Sequence, residues 1–494
     1  DDARFALNAR EIHGLLGGNG AGKTTLMNIL YGLYRMDAGE ILLRGQRVTI
    51  LSPRDAIGYG IGMVHQHFLQ VKSFTVIQNI VLGTEVKNRL SLELAEEEKK
   101  LAELCQRFGL DVDLHAVVED LPMGARQKVE ILKALYRGVE ILILDEPTTN
   151  LTPQEVDSLF SSLRVMVNEG MSIVFITHKL QEVLSVCDRI TVLRNGKDVL
   201  TLRREDASEE AFVRGMVGDE LNIEESVIFS HREEAAETRP MTGRTVLNAG
   251  GIHLVNADKV ALLKDIHLDI REKEILGIAG VAGNGQRELA EVLFGVQPVT
   301  QGRIEFNGMD VTGKSTREML EMGVSYIPED RMHDGFLPKA NVAQNLILGF
   351  QRQEPYSSKG FMDWKTIYKM ARDLIVQYNI KTSGPTETGA NLSGGNIQRV
   401  LIARAFSRPC SLLIMHNPTR GLDIPSSDFV YSGLLQRKEQ GMATLLISEN
   451  LDELLLLCDR IAVICRGEMM GSLERGKFEK YEIGRMMSGV RINQ

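Results

Sequence analysis

The chain has 494 residues, of which 43% are hydrophobic and 25% charged, and a formal net charge of −9. That length calls for two or three domains with ample cores, and the acidic balance gives no general electrostatic reason to bind nucleic acid. Five cysteines without a CxxC pair indicate a reduced compartment; no run of 18 or more apolar residues offers a spanning helix, and "DDARFALNAR" is no signal peptide.

In chain order, an apolar strand leads into "GGNGAGKT", Gly17 to Thr24, and a helix follows. This is the context in which G-x-x-x-x-G-K-[ST] predicts a phosphate loop. Glycines let backbone N–H groups close around phosphates, and the helix start adds about half a positive charge. Lys23 supplies a point charge for the β and γ phosphates, and Thr24 offers a hydroxyl to Mg²⁺. The candidate nucleotide contacts are Gly17, Gly18, Asn19, Gly20, Ala21, Gly22, Lys23, Thr24 and Thr25.

"LELAEEEKKLAELCQRFG", residues 92 to 109, predicts a mostly helical insert. After it, "ILILDEP" has the four apolar residues a buried strand needs to deliver Asp145 and Glu146 to a phosphate site at its carboxyl end. Asp145 is expected to hold magnesium through water, and Glu146 to polarise the attacking water as general base. A helix over "TPQEVDSLFSSLRVMVNEG" and a strand over "SIVFITH", ending at His178, complete an α/β half. Residues 204 to about 240 are highly charged and end in Pro240, which predicts a small helical piece followed by a surface linker.

The second half repeats the first. "ILGIAGVAGNGQRELAEVLFG" matches "IHGLLGGNGAGKTTLMNILYG", with Gly280 at 263 residues from Gly17, and Glu329 lies at the same offset from Gln66. Further on the offset is 271, as in Asp145 to His416 and His178 to Glu449, so the second half carries an insertion of eight residues. The predicted organisation is a first domain over 1–220, a linker over 221–244 and a second domain over 245–494. The first half has only "DDARFALNAREI" where the second has "TVLNAGGIHLVNADKVALLKDIHLDI". Its amino-terminal strand is therefore expected to be truncated.

With these motifs the chain resembles the ATP-binding cassette (ABC) transporter family over essentially its whole length. The most specific element is "LSGGN", where Ser393, Gly394, Gly395 and Asn396 match the family signature that contacts the γ-phosphate across a dimer. The resemblance implies two tandem P-loop NTPase (ABC ATPase) domains, each a RecA-like α/β core with a β-rich edge and a helical insert. It implies ATP and Mg²⁺ as cofactors, with Thr24, Gln66 and Asp145 at the metal. Gln66 is similar to the Q-loop glutamine, His178 to the switch histidine and Asp423 to the D-loop aspartate.

In this family cassettes face head to tail, which here implies that the two pair within one chain. The losses then fall on one of two composite sites. The second phosphate loop keeps Gly280, Gly283 and Gly285 but has Gln286 for the lysine and Arg287 for the hydroxyl. His416, Asn417 and Glu449 replace the two acids and the histidine, and Pro122 replaces the serine of the first signature, "LPMGA". The first loop with the second signature keeps every part.

"GNGQ" and "YIPEDR" resemble the ATPase subunit of bacterial importers for sugars and nucleosides, and "MVHQHF", "VEILKALYRG" and "EPTTNLTPQE" look closer to the nucleoside branch. Pro122 and Gly18 depart from that branch, which usually has Ser and Glu there. The resemblance implies two transmembrane permease subunits, an extracytoplasmic solute-binding protein acting indirectly, no nucleic acid, and a peripheral location on the cytoplasmic face of the inner membrane. A twin-cassette translation factor acting on ribosomes is the alternative; such factors resemble each other in having two complete sites and a basic linker, unlike this chain.

Overall fold

The computed structural model describes residues 2–18, 20–66, 68–84, 94–149, 151–206, 208–218, 226–230 and 243–491. It divides into two compact units, Asp1–Leu221 and Asn222–Gln494.

The core of the first unit is a six-stranded sheet. Its spatial order is Ile61–Val64, Ile141–Asp145, Ser172–Thr177, Ile12–Leu16, Arg189–Arg194 and Lys197–Arg203. The first five strands pair in parallel and the last is antiparallel. Ile12 faces Ile173 and Ile141 faces Ser172, so the carboxyl ends of these strands lie along one edge of the sheet. Every residue of Ile12–Leu16 and Ser172–Thr177 is buried, as expected of parallel strands covered on both faces. Helices Lys23–Leu30 and Pro153–Asn168 follow two of the strands; a capping box between Thr152 and Glu155 starts the second. Val76–Val81, Ala95–Phe108 and Met123–Tyr136 form the helical insert.

The core of the second unit repeats that order strand for strand: Val324–Ile327, Leu412–His416, Ala443–Ser448, Ile275–Ala279, Arg460–Cys465 and Glu468–Glu474. It adds a four-stranded antiparallel sheet of Ala261–Arg271, Thr245–Val255, Gln301–Phe306 and Met309–Asp310. Ile252, Leu263 and Ile266 on this sheet pack in one cluster with Leu276 and Ile278 of the core strand. In the first unit the corresponding edge holds the hairpin Ile41–Leu43 with Gln46–Val48. Residues 2–10 there form no strand, but Phe5 lies 4.6 Å from the His13 ring and packs with Ala3 and Leu7 on the core.

Glu209–Val217 is the small helical piece anticipated after the first core. Part of the stretch read as surface linker is instead built into the second unit. Val227–Ser230 is a short helix, Val227 is buried, and Asp428 accepts hydrogen bonds from Ser226 Oγ at 2.7 Å and Ile228 N at 3.1 Å. The charge of the flanking residues hid this short apolar run. Residues 221–225 and 231–242 of the anticipated linker lie outside the described residues.

Candidate active site and its counterpart in the second unit

The first phosphate loop follows strand Ile12–Leu16. Gly20 and Gly22 have φ of 77° and 99°, in the left-handed region that glycine enters without a Cβ penalty. At Gly17 a Cβ would stand 2.4 Å from the Leu193 carbonyl oxygen, so no side chain fits. Helix Lys23–Leu30 starts at Gly22 with Thr24 and Thr25 exposed on its first turn. Asn19 lies outside the described residues.

Lys23 is buried, and its Nζ donates to the carbonyls of Gly17 at 2.8 Å and Gly18 at 3.0 Å. Burial pulls its pKa down, opposed by the carboxylates of Glu146 and Asp145. Asp145 is the buried last residue of its strand and accepts a hydrogen bond from Thr24 Oγ1 at 3.1 Å. Burial pushes the Asp145 carboxyl up, with the Thr24 hydrogen bond acting against it.

Glu146 turns out of the strand with φ 49° and donates its backbone N–H to the Ile176 carbonyl at 2.9 Å. Its carboxylate accepts from Gln66 Nε2 at 3.0 Å and from the ring N–H at His178 Nδ1 at 2.8 Å. Burial opposes its ionisation, but the His178 hydrogen bond and nearby positive charge outweigh this, and the net shift is downward. One face of the loop therefore carries an ammonium, a hydroxyl with a carboxylate, and a second carboxylate held by an amide and an imidazole.

The second loop keeps the backbone and changes the chemistry. Gly283 and Gly285 have φ of 83° and 107°. Gln286 is buried like Lys23; its Nε2 donates to the Val281 carbonyl at 2.9 Å and its Oε1 accepts the Asn284 backbone N–H at 3.0 Å. That N–H belongs to the loop that would face phosphate. Arg287 is taken up by Glu291 at 2.6 Å and Asp334 at 3.2 Å. His416 is buried with its Nε2 at 3.7 Å from Glu329, and burial lowers its pKa. Asn417 donates to Glu329 Oε1 at 3.0 Å and accepts the Glu449 backbone N–H at 2.9 Å.

The signature residues begin a long helix, Gly394–Phe406, with Ser393 as its N-cap. Ser393 and Gly394 are exposed, a Cβ on Gly394 would meet nothing within 4 Å, and Asn396 Nδ2 donates to Ser393 Oγ at 2.9 Å. In the first unit Pro122 is the N-cap of Met123–Tyr136 and has no hydroxyl to offer. Asp423 caps helix Ile424–Glu439 by accepting the Ser426 N–H at 2.9 Å.

Two further parts of the site were not anticipated. Glu182 accepts from Thr148 at 2.7 Å and Thr177 at 3.1 Å, tying the segment after Glu146 to the residue before His178. Arg420 contacts Glu329 in the second unit. In the repeat Glu329 aligns with Gln66, whereas Arg420 aligns with Thr149, a position with no motif in either half.

A sequence profile of the ABC transporter family matches residues 1–149 and 263–420. The chain is 41% identical to a nucleoside import ATP-binding protein of Lactococcus lactis, over 100% of this chain and 96% of that one. It is 40% identical to a glucose import ATP-binding protein of Haloferax volcanii, over 99% and 92%. A solved archaeal ribosome recycling factor, in complex with a ribosomal stalk protein, matches with a TM-score of 0.60, covering 96% of this chain and 85% of that one. At 20% identity that likeness concerns the fold alone. Motifs, duplicated sheet order and relatives agree: the chain belongs to the ABC transporter family, as an ATPase with two tandem cassettes.

Proposed function

We propose that the chain is the ATP-hydrolysing subunit of an ABC importer for nucleosides or simple sugars, with one working site and one degenerate site. The observation that carries this is the convergence of Gln66 and His178 on Glu146 in the first unit, against its replacement by Glu329, Asn417 and Glu449 in the second. Relatives whose names specify import of nucleosides and of glucose match over nearly the full chain at 41% and 40% identity. Both solute classes therefore stay within the proposal.

In the working site the loop N–H groups and Lys23 bind the β and γ phosphates, and Glu146, held ionised, takes a proton from the attacking water. His178 and Gln66 hold the Glu146 carboxylate in place. The Thr24 hydroxyl, the Asp145 carboxylate and the Gln66 amide oxygen are hard oxygen donors of the kind Mg²⁺ takes, with Asp145 acting through water. When bound there, Mg²⁺ neutralises charge on the β and γ oxygens. Ser393, Gly394, Gly395 and Asn396 of the second unit serve as the signature that contacts the γ-phosphate, and Asp423 as the D-loop aspartate, by their likeness to the family motifs.

The second loop does not suit Mg²⁺. Arg287 and His416 stand where the hydroxyl and carboxylate would be, and neither supplies an oxygen. ATP binding and hydrolysis drive two permease subunits supplied by a solute-binding protein; the chain itself is peripheral. Among the described residues no helix is long and apolar enough to cross a membrane.

The test is Glu146→Gln. ATP binding is retained while steady-state hydrolysis falls by about 10²–10⁴. Turnover near wild type in this variant would refute the one-site reading.

A further inference from the structure

The second phosphate loop differs from the first by more than a missing charge. A phosphate loop binds through its backbone N–H groups, and a lysine side chain has no acceptor with which to claim them. Lys23, bonded to the carbonyls of Gly17 and Gly18, therefore takes up none of the N–H groups of its loop. A glutamine brings an acceptor as well as a donor. Gln286 lies back over Gly280, where a Cβ would stand 2.6 Å from its Nε2, and its Oε1 accepts the Asn284 N–H at 3.0 Å. The amide oxygen thus holds the place of a phosphate oxygen.

Asn284 braces the same loop. Its Nδ2 donates to the Val281 carbonyl at 2.8 Å, the carbonyl that also accepts from Gln286 Nε2 at 2.9 Å. Its Oδ1 accepts the Arg466 N–H at 2.7 Å and its carbonyl the Gly467 N–H at 2.9 Å. These bonds pin the loop to the turn between strands Arg460–Cys465 and Glu468–Glu474. In the first loop Ala21 stands at this position and has no side-chain amide; its N–H lies 3.2 Å from the Gly18 carbonyl. Nor does the neighbouring cation compensate in the second loop, since Arg287 is held by Glu291 and Asp334. Every one of these contacts lies within the second unit.

We propose that Gln286 and Asn284 are specificity-determining residues that decide which loop takes nucleotide: their side-chain amides occupy and brace the second phosphate loop, so that ATP loads the first loop in preference to the second. This builds on the one-site reading above. If the loop had merely lost its lysine, truncating Gln286 would leave nucleotide binding unchanged or weaker. An occupied loop predicts the opposite sign. Removing the amide returns an N–H to the ligand, and a hydrogen bond to a charged phosphate is stronger than one to a neutral amide.

The experiment is equilibrium dialysis of radiolabelled ATP with Mg²⁺ against the purified chain carrying Glu146→Gln, which stops hydrolysis, with thermal melts alongside. At ATP concentrations that saturate the first loop, a single nucleotide is expected per chain. Adding Gln286→Ala should tighten a second binding event by about tenfold or more. Asn284→Ala, which copies the first loop, should tighten it by less, and Lys23→Ala should remove the tight event while sparing the gained one. Two nucleotides bound with equal affinity while Gln286 is in place overturn the proposal, and so does Gln286→Ala that leaves the second event unchanged or weaker. If Gln286→Ala does not fold, Asn284→Ala decides: a tightened second event supports the lock, and an unchanged one overturns it. The two levels stay separate, because turnover in Glu146→Gln indicts the one-site reading, whereas the nucleotide count in a chain that does not turn over indicts the lock.

Discussion

At the scale of single residues, Glu146 and Asn417 show what has been kept and what has changed. Both sit in left-handed backbone, at φ 49° and 45°, and both donate their N–H to the neighbouring strand, at Ile176 and Ile447. A non-glycine residue there is strained by about 1–2 kcal/mol, and asparagine is one of the few that tolerates it. The first unit bears the strain to aim a carboxylate; the second has a residue this backbone tolerates better. On the proposed one-site reading, restoring two acids does not restore chemistry. The double change His416→Asp with Asn417→Glu, made in a Glu146→Gln background, should give no ATP turnover above that background in a phosphate-release assay. Glu329 would repel the new glutamate, and Gln286, Arg287 and Glu449 would remain.

Secondary-structure elements carry the duplication most faithfully. Each unit enters its central strand through the same pair: Glu11 accepts from Arg189 at 2.7 Å, and Glu274 accepts from Arg460 at 2.9 Å. Burial works against ionisation of Glu11, but the His13 ring 3.5 Å away and hydrogen bonds from Arg189 and Asn8 overcome it and hold the carboxyl below the usual range. A folded-state pKa depressed in this way stabilises the protein above the unfolded value of about 4.3 and loses that contribution as pH falls. Glu11→Gln should cost about 1.5–3 kcal/mol at pH 7. In urea titrations the gap to wild type should be flat above about pH 5 and shrink towards acid; a gap that widened in acid would contradict the assignment. The strands and helices around both loops were legible because their periods and glycines are local. The helix Val227–Ser230 was not, because its burial depends on Asp428, about two hundred residues away.

At the scale of the whole molecule, two copies of one architecture carry different residues at matching positions, and the signatures test whether their roles differ. Ser393→Arg places a bulky cation at the exposed start of helix Gly394–Phe406 and should abolish ATPase activity with folding unchanged. Pro122→Arg, at the matching position of the first unit, should leave most activity; equal losses in the two variants would argue against head-to-tail pairing. The sequence by itself determined the repeat, the phosphate loops, the order of acids and their losses, and family membership, because these are written in short spacings of few residue types. Only the tertiary structure decided what the altered residues do. Hydrogen bonds and ion pairs depend on a few ångströms that residue spacing does not reveal: Gln286 turns back onto the backbone of its own loop, and Glu329 and Glu449, distant in the chain, meet at Arg420.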